Sequence, residues 1–411
     1  MPVPVSCALD PFAPKSFPTP DFFRKCMSRK LLERCPKRHL VIHMDINKTI
    51  VQFDSAGGRS LDDTLNSNAA ANVWGRVVDG KWEAVMGPDE AGDRSNMITF
   101  AEYVDQKYAE PPGMRDLPRS ARDRTWKEIS GRRRAEVGAF TCPGQPGEKY
   151  KHLVDKQKAV LDATPNFSVI PSFFEFVNTL SELGWSFTLI FRTFGNDLGN
   201  VLKEWKQFLF GEHAHQPRGH VLQQLRETYV CEATGCIFRD KDRLFLCYGP
   251  RVGATVTYPE GTEELSTNDI VTQLKGLPSC REVRQVSFSQ LHDQFVEYAA
   301  TSNGIAGIID YYPFWAQAAE RRSGGKVYPV NITHPSNCTK PYLYAFFDDN
   351  IRIGEEHSIV DLRDVTTGAS IMDFEMEKKY TIGVNSYQAI VYEDYFLDCL
   401  ADALRLQLGE P

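Results

Sequence analysis

The sequence predicts a Rossmann-like, doubly wound α/β fold with a mainly parallel sheet. Two long apolar runs end in carboxylates, one at Asp45 and the other at the adjacent pair Asp348 and Asp349. A third apolar run, residues 185–191, leads through a polar turn at Thr193 into a helical pattern. Nearly continuous apolar runs are typical of strands that are buried on both faces of a parallel sheet. Because such sheets hold ligands at the carboxyl ends of their strands, we expect these polar residues to share one edge.

The N-terminal part predicts an arm followed by the first strand of the core. Residues 1–38 are interrupted by prolines and contain one short helical stretch, 22–32. The apolar run 39–45 predicts the first strand. Beyond it, strand-like runs at 73–78 and 81–85 flank an Asp-Gly pair, which is a strong hairpin signal.

Helices and strands then alternate along the chain. Pro171 favours the start of a helix and Gly184 its end, directly before the strand at 185–191. A second irregular region, 211–300, contains a hairpin pattern of two apolar runs. Further predicted elements are helices at 99–107, 122–136, 198–209, 289–300 and 395–406, the hairpin 236–239 with 244–247, and strands at 342–347 and 358–362.

The composition is that of an ordinary globular protein. The chain has 411 residues, of which 42% are hydrophobic and 25% charged, which is enough for a sizeable core in more than one domain. A net charge of -7 argues against a nucleic-acid partner. We interpret the basic run 132–134 as a solvated helix face, with a basic surface that faces a substrate as the other interpretation.

The cellular location is predicted from absences in the sequence. The N-terminus lacks the apolar stretch of a secretory signal, and no segment has the roughly 18 uninterrupted apolar residues of a membrane span. Ten scattered cysteines fit reduced thiols better than a disulfide framework. These features predict a cytoplasmic protein with no membrane partner.

Four short motifs together resemble those of the haloacid dehalogenase-like (HAD) superfamily of phosphotransfer enzymes. The resemblance covers about 38–50, 165–210 and 300–365 and does not reach the two irregular regions. The order and strand context of the motifs are specific together, whereas each motif alone is weak. The motifs are Asp45-Ile46-Asn47-Lys48-Thr49, then Thr193, then Lys326 in Gly324-Gly325-Lys326, and finally Asp348-Asp349.

The resemblance implies phosphoryl transfer to a side chain with the help of Mg²⁺. Asp45 would be the nucleophile and also a magnesium ligand. The backbone carbonyl of Asn47 and the carboxylate of Asp348 suit magnesium as further ligands, and Asp349 would help by contacting and orienting these ligands. The chemistry explains these residue types, because transfer needs an ionised carboxylate and a cation that neutralises the phosphate.

Thr193 and Lys326 would hold the phosphate oxygens. Taken alone, Thr193 fits a helix cap as well as a phosphate contact. Lys326 competes with Lys340, which lies nearer the fourth motif but leaves no room for an intervening helix or loop. Asp45 alone would fit a turn, whereas two adjacent carboxylates after six apolar residues are costly without a cation or base.

The resemblance divides the chain into a core and two insertions. The core comprises 39–50, 165–210 and 301–411, with 1–38 as the N-terminal arm. The insertions, 51–164 and 211–300, lie where the superfamily carries caps that close over the site and select substrate. Two large insertions favour a small phosphorylated metabolite over a protein substrate.

Asn47 limits how far the activity of the family carries over. In phosphatase members this position is an acid that protonates the leaving alcohol and then activates water, and an amide has no proton to exchange in either step. Such acid-base help is worth about 10²- to 10⁴-fold, so we expect slow hydrolysis of ordinary phosphate monoesters. Acyl phosphates or halides would suffer less, and a catalytically weak or inactive ligand-binding protein is the alternative.

Other residues are weaker candidates. Three nearby histidines lie in a loop without helical metal spacing, and we interpret them as solvated. Asp310 and the aromatic residues after it are interpreted as facing the site or as core. Arg192 adjoins Thr193, but strand neighbours point to opposite faces. The histidines are His213, His215 and His220, the aromatics are Tyr311, Tyr312 and Trp315, and Cys231, Cys236 and Cys247 are interpreted as core or surface thiols.

Overall fold

A computed structural model of the chain describes residues 21–52, 59–164, 166–229, 233–249, 256–259, 264–277, 280–301, 305–332 and 342–409. The strands are β1 (His39–Asp45), β2 (Trp74–Val78), β3 (Lys81–Met86), β4 (Ile98–Thr99), β5 (Phe187–Thr193), β6 (Ala233–Asp240), β7 (Arg243–Tyr248), β8 (Glu282–Val286), β9 (Ile305–Asp310), β10 (Lys326–Val330), β11 (Tyr342–Asp348), β12 (Val360–Asp364) and β13 (Thr381–Gly383). The helices are α1 (Asp21–Arg34), α2 (Leu61–Ala70), α3 (Phe100–Lys107), α4 (Arg119–Gly138), α5 (Lys151–Asp162), α6 (Pro171–Glu182), α7 (Leu198–Leu209), α8 (His220–Glu227), α9 (Thr267–Lys275), α10 (Phe288–Thr301), α11 (Tyr312–Gln317), α12 (Phe374–Tyr380), α13 (Ser386–Val391) and α14 (Tyr395–Leu408).

A central sheet of eight strands organises the molecule, in the order β13-β11-β1-β5-β9-β6-β7-β8. Every pairing from β13 to β6 is parallel, and β7 and β8 continue the sheet as antiparallel strands. The α/β fold class with a mainly parallel sheet, which the sequence predicts, is confirmed. The parallel pairing brings the carboxyl ends of β1, β5, β9 and β11 to one edge of the sheet.

Both faces of the central sheet are covered, which explains the unbroken apolar runs. On β1, Leu40, Ile42 and Met44 belong to a core that also contains residues of α6, α7 and α14. Val41, on the opposite face, belongs to a second core with residues of α10, β10 and β12. A strand that is buried on both faces needs an apolar side chain at nearly every position.

The first insertion, 51–164, builds its own small antiparallel sheet, β3-β2-β4, together with α2 to α5. Asp79 and Gly80 have positive φ angles of 50° and 77°, as a tight hairpin between β2 and β3 requires. The insertion starts and ends at neighbouring points, because Val51 forms an antiparallel bridge with Val169. It can therefore be accommodated without disturbing β1 or β5.

The second insertion, 211–300, contributes three strands to the central sheet. β6 pairs in parallel with β9, and β7 and β8 follow it outward. The predicted hairpin is present as β6 and β7, with Lys241 at a φ of 56° in the turn. This segment is thus continuous with the core, which the sequence pattern did not indicate.

The remaining predicted elements are found, most of them with shifted ends. Helix α7 has the predicted bounds, and β5 starts two residues later than predicted and extends to Thr193. The predicted last strand is β12, which pairs with β10 in a separate two-stranded parallel sheet. The helix of the predicted arm is α1, and residues 1–20 lie outside the described part of the chain. Within the described ranges, none of the helices combines the length and the apolar character needed to cross a bilayer.

Candidate active site

Three carboxylates converge at the carboxyl edge of the central sheet. Asp45 ends β1, and Asp348 ends the neighbouring strand β11 and is followed by Asp349. Each of the three offers an oxygen that lies within 4.8 Å of the others. Among the residues that the structure describes, they form the one group of three acidic, histidine or cysteine side chains close enough to share a metal ion. The structure thus brings together chain segments about 300 residues apart.

Lys326 lies between the first two of these carboxylates. Its Nζ donates to Asp45 Oδ1 and, at 2.7 Å, to Asp348 Oδ2. The lysine is 1% exposed and begins β10, whose short parallel sheet packs against the central one. Of the two candidate lysines, Lys326 is therefore in the site, and Lys340 lies outside the described residues.

The loop after β1 fixes the carboxylates further. Thr49 Oγ1 donates to Asp45 Oδ2 at 3.0 Å and accepts the backbone N–H of Asp349 at 3.2 Å. Lys48 adopts a left-handed conformation with a φ of 61°, and its Nζ lies 3.0 Å from Asp349 Oδ2. Sequence reasoning assigned no role to Thr49 or Lys48, although both belong to the first motif.

Burial and charge crowding shift the acid-base properties of the site. Burial, together with the nearby charge of Asp348, raises the pKa of the Asp45 carboxyl well above its usual value, against the opposing effect of Lys326. Burial likewise raises the pKa of Asp348. For Lys326, burial lowers the pKa, but the adjacent carboxylates Asp348 and Asp45 outweigh it and raise the pKa. Burial and neighbouring negative charge therefore oppose the ionisation of Asp45 and Asp348, and Lys326 offsets part of this effect.

The donor set fits a magnesium ion. Asp45, Asp348 and Asp349 are three carboxylates, and among the described residues they pair with two ammonium groups, those of Lys326 and Lys48. Each carboxylate has about four lone-pair sites, so the hydrogen bonds described above leave acceptor capacity for a cation. Hard oxygen ligands are those that Mg²⁺ prefers.

Asn47 and Thr193 contact each other beside the carboxylates. Thr193 Oγ1 donates to Asn47 Oδ1 at 3.2 Å, and Asn47 Nδ2 donates to Asp197 Oδ2 at 2.9 Å. Thr193 Oγ1 also accepts the N–H of Gly195 at 2.8 Å. Thr193 does not cap the next helix, because α7 begins at Leu198 and Asp197 occupies its N-cap position. Sequence reasoning did not identify Asp197, whose contact with Asn47 depends on the fold.

Gly195 leaves a small space beside these groups. A Cβ built on Gly195 would lie 3.2 Å from Asn47 Oδ1, and 3.4 Å from both Asp197 Oδ2 and Thr193 Oγ1. Three polar side-chain atoms therefore face the volume that the glycine leaves open.

A cluster of aromatic side chains lies next to Lys326. The ring centroid of Phe194 lies 5.2 Å from Lys326 Nζ. Phe194 stacks on Trp315 at 5.3 Å and meets the edge of Tyr312 at 5.8 Å. Tyr311, by contrast, packs against Phe238 in a different core. Of the aromatic candidates, Tyr312 and Trp315 thus lie near the site and Tyr311 does not.

Arg192 and Asp310 bind each other and do not contact the three carboxylates in the described hydrogen bonds. Arg192 donates to the two carboxylate oxygens of Asp310 at 2.8 and 2.6 Å, and its side chain is fully buried. The guanidinium lies near the rings of Phe295 and Phe346, while Thr193, its neighbour on β5, contacts Asn47. This arrangement agrees with the expectation that strand neighbours point to opposite faces.

The weaker histidine and cysteine candidates that the structure describes lie away from the three carboxylates. His213 is buried and its Nε2 lies 3.3 Å from Glu204 Oε1, so the interpretation of this histidine as solvated is wrong. His220 is exposed at the start of α8. Cys236 and Cys247 are free, buried thiols on directly opposed positions of β6 and β7. His215 stacks on Phe174 at 5.3 Å, and Cys231 lies outside the described residues.

Comparisons of this chain with protein-family models, with curated proteins and with solved structures find no match. The chemistry of the site must therefore be inferred from its own geometry. A buried carboxylate, Asp45, is held at both oxygens by Thr49 and Lys326. Such an arrangement can present a nucleophile or bind a cation and an oxyanion side by side.

Proposed function

We propose that this protein is a magnesium-dependent, HAD-like hydrolase or phosphotransferase that acts through Asp45 on a small phosphorylated metabolite. The observation that carries the proposal is the convergence of Asp45, Asp348 and Asp349 within 4.8 Å, with Lys326 between the first two. These four residues all belong to the motifs that resemble the superfamily. Free buried thiols, such as Cys236, support a cytoplasmic location as part of the same proposal.

Each residue has a role in this proposal. Asp45 attacks phosphorus, so that a bond from its carboxylate oxygen forms while the bond to the leaving oxygen breaks, and water then hydrolyses the aspartyl phosphate. Thr49 and Lys326 orient the attacking carboxylate. Lys326 and Thr193 also offer donors to the phosphate oxygens. When bound by Asp45, Asp348 and the backbone carbonyl of Asn47, Mg²⁺ would neutralise phosphate charge.

Asn47 determines which substrates suit this site. Its amide contacts Thr193 at one end and Asp197 at the other, and it cannot supply a proton to a leaving alcohol. Leaving groups that depart as stable anions need no such proton. We therefore propose acyl phosphates as better substrates than alkyl phosphate monoesters.

Turnover of a substrate panel tests this proposal. The purified chain is incubated with Mg²⁺ and a set of phosphate monoesters and acyl phosphates, and released phosphate is measured. We expect acyl phosphates to be hydrolysed faster, and we expect Asp45→Asn, which keeps the shape of the side chain, to abolish turnover. The absence of turnover on every substrate, together with unchanged Mg²⁺ binding in Asp45→Asn, would contradict the proposal.

A second candidate function is that of a ligand-binding protein with little or no turnover on the same scaffold. The observation that favours it is the fixed amide of Asn47 where the active relatives in the superfamily carry an acid. Calorimetric titration with Mg²⁺ and a phosphate mimic such as beryllium fluoride distinguishes the two functions. Tight binding without turnover on any substrate would favour the binding protein.

A further inference from the structure

We propose that Arg239 and Arg192, each paired with a buried aspartate, are positioning residues that hold the backbone on both sides of Lys326. The inference rests on the proposed function for its catalytic consequence, because Lys326 contacts the proposed nucleophile Asp45. The claim concerns how the lysine is held, and this can be measured without turnover.

Arg239 holds the residue before the lysine. It lies on β6, is 3% exposed, and its Nη1 donates to the backbone carbonyl of Gly325 at 3.1 Å. Its Nη2 lies 2.7 Å from Asp361 Oδ2, and Asp361 is fully buried. One guanidinium thus links β6 to the start of β10 and to β12.

Arg192 holds the residue after the lysine. It lies on β5, and its Nη1 and Nη2 both lie 3.3 Å from the backbone carbonyl of Val327. Its Nε and Nη2 also donate to the two carboxylate oxygens of Asp310. The carbonyls of Gly325 and Val327 are therefore each bound by a different buried guanidinium, with Lys326 between them.

The short sheet that carries Lys326 needs such support. Within the described part of the chain, β10 pairs with β12 alone, and it contains Pro329, which has no N–H to donate. The backbone N–H of Lys326 donates to Ile359 O at 2.6 Å. A Cβ on Gly325 would overlap the same oxygen, so the two backbone segments approach each other closely here. Charged donors from the central sheet fix this backbone relative to Asp45 and Asp348.

The positioning role of Arg239 also gives the second insertion, 211–300, a structural link to the site. Arg239 belongs to β6, which lies within 211–300 and joins the central sheet beside β9. In a sheet without β6, the carbonyl of Gly325 would lose this donor. The insertion therefore contributes to the geometry of the site through the backbone before Lys326, in addition to any contact with substrate.

The alternative is that both pairs only stabilise the fold, and a signal specific to Lys326 separates the two interpretations. Protein labelled with ¹⁵N-lysine gives ammonium NMR signals only for lysines whose protons exchange slowly with water, as those of a buried lysine do. The Lys326 signal is assigned by its disappearance in Lys326→Arg, which keeps the charge. The test variant combines Arg239→Met with Asp361→Asn, so that neither member of this pair remains as a buried charge. Arg363, which also pairs with Asp361, keeps its contact with Asp242.

We expect this double variant to displace or abolish the Lys326 signal. If turnover has been found, we also expect kcat to fall roughly 100-fold with a smaller change in KM, the size expected for a displacement near 1 Å. Arg94→Met is the control, since Arg94 is buried and donates to carbonyls of the first insertion, those of Gly87, Pro88 and Glu90. It should leave the signal in place.

The outcomes are distinguishable. An unchanged Lys326 signal in the folded double variant, or an equal displacement in Arg94→Met, would overturn the inference. A displaced signal in a protein that turns over no substrate would support the positioning role and count against the proposed function. If the double variant does not fold, Arg239→Lys replaces it. We expect a smaller displacement of the Lys326 signal in this variant, because a lysine keeps the charge opposite Asp361 but lacks the rigid guanidinium fork.

Discussion

The side-chain amide of Asn47 donates to the carboxylate of Asp197, with 2.9 Å between Nδ2 and Oδ2. Thr193 donates to the other end of the same amide at 3.2 Å, so the amide has a defined orientation. An aspartate at position 47 would place a second carboxylate at hydrogen-bonding distance from Asp197. Two such groups cannot both ionise without a large cost in free energy.

The contact predicts that an acid can be restored at position 47 only if its neighbour changes too. Asn47→Asp alone should raise kcat/KM for a phosphate monoester by less than about 10-fold. Asn47→Asp combined with Asp197→Asn exchanges acid and amide between the two positions, and should raise kcat/KM by about 10²- to 10⁴-fold, the usual worth of acid-base help. Phosphate release with an alkyl phosphate at saturating Mg²⁺ measures both.

Asp197→Asn alone is the control, and it should not increase the rate. A full gain from Asn47→Asp alone would show that Asp197 does not oppose ionisation at position 47. No gain from the double variant would argue that Asn47 is not the reason for slow turnover.

A second prediction concerns the balance of charge at Lys326. Lys326→Met should destabilise the protein without Mg²⁺ by about 3–5 kcal/mol, because breaking a buried pair leaves Asp45 and Asp348 without their cation. Mg²⁺ should recover part of this loss, since a ligand that binds only the folded state stabilises it by about 2.7 kcal/mol at 100 times its Kd. Urea unfolding with and without Mg²⁺ measures both effects.

The matched comparison is Lys326→Met combined with Asp45→Asn, which removes one negative charge together with the positive one. This variant should be more stable than Lys326→Met in the absence of Mg²⁺. Equal stability of the two variants would mean that Asp45 is not ionised beside Lys326 in the folded protein.

The sequence indicates which strand ends meet, but not what holds them. Asp45, Thr193 and Asp348 were predictable because apolar runs identify buried parallel strands, and the ends of parallel strands share an edge. The pairing of Arg239 with Asp361 was not, because it joins residues 122 positions apart (361 - 239) through the packing of two sheets. The contact of Asp197 with Asn47 likewise depends on the turn between β5 and α7.

The short strands were also beyond sequence reasoning. β10 contains a proline, and β13 has three residues, so neither shows a period that distinguishes it from a loop. The β6 hairpin was predictable from its apolar runs, whereas its place beside β9 was not. Local patterns specify elements, and the order of strands depends on contacts between distant residues.

A third prediction tests the tight backbone before Lys326. Gly325→Ala should destabilise the protein by about 1–3 kcal/mol, the range for overpacking, because its Cβ would overlap the carbonyl oxygen of Ile359. Gly199→Ala is the matched control: it lies in α7, a Cβ there has no atom within 4 Å, and alanine favours helix by up to about 1 kcal/mol. We expect the midpoint temperature of thermal unfolding to fall in Gly325→Ala and to rise in Gly199→Ala. An unchanged midpoint in Gly325→Ala would contradict the close approach of Gly325 to Ile359.

The last prediction concerns the pH dependence of stability that the buried residue His43 causes. His43 is 1% exposed on β1, and Arg192 Nη1 lies 3.3 Å from its Nδ1. The guanidinium can only donate, so Nδ1 must accept and the imidazole is neutral. Burial, and then the charges of Arg192 and His292, hold the pKa of His43 well below its usual value of 6.5.

The sign of the effect follows from proton binding. Below about pH 6.5 the unfolded chain protonates His43 and the folded protein does not, so the unfolded state binds more protons and stability falls as pH decreases. The slope contributed by one such group approaches about 1.4 kcal/mol per pH unit. His43→Asn, whose amide oxygen can still accept from Arg192, should reduce the slope of the unfolding free energy between about pH 5 and 6.5. The same substitution at exposed His220 should not, and equal slopes in wild type and His43→Asn would show that the folded protein accommodates a charged imidazole beside Arg192.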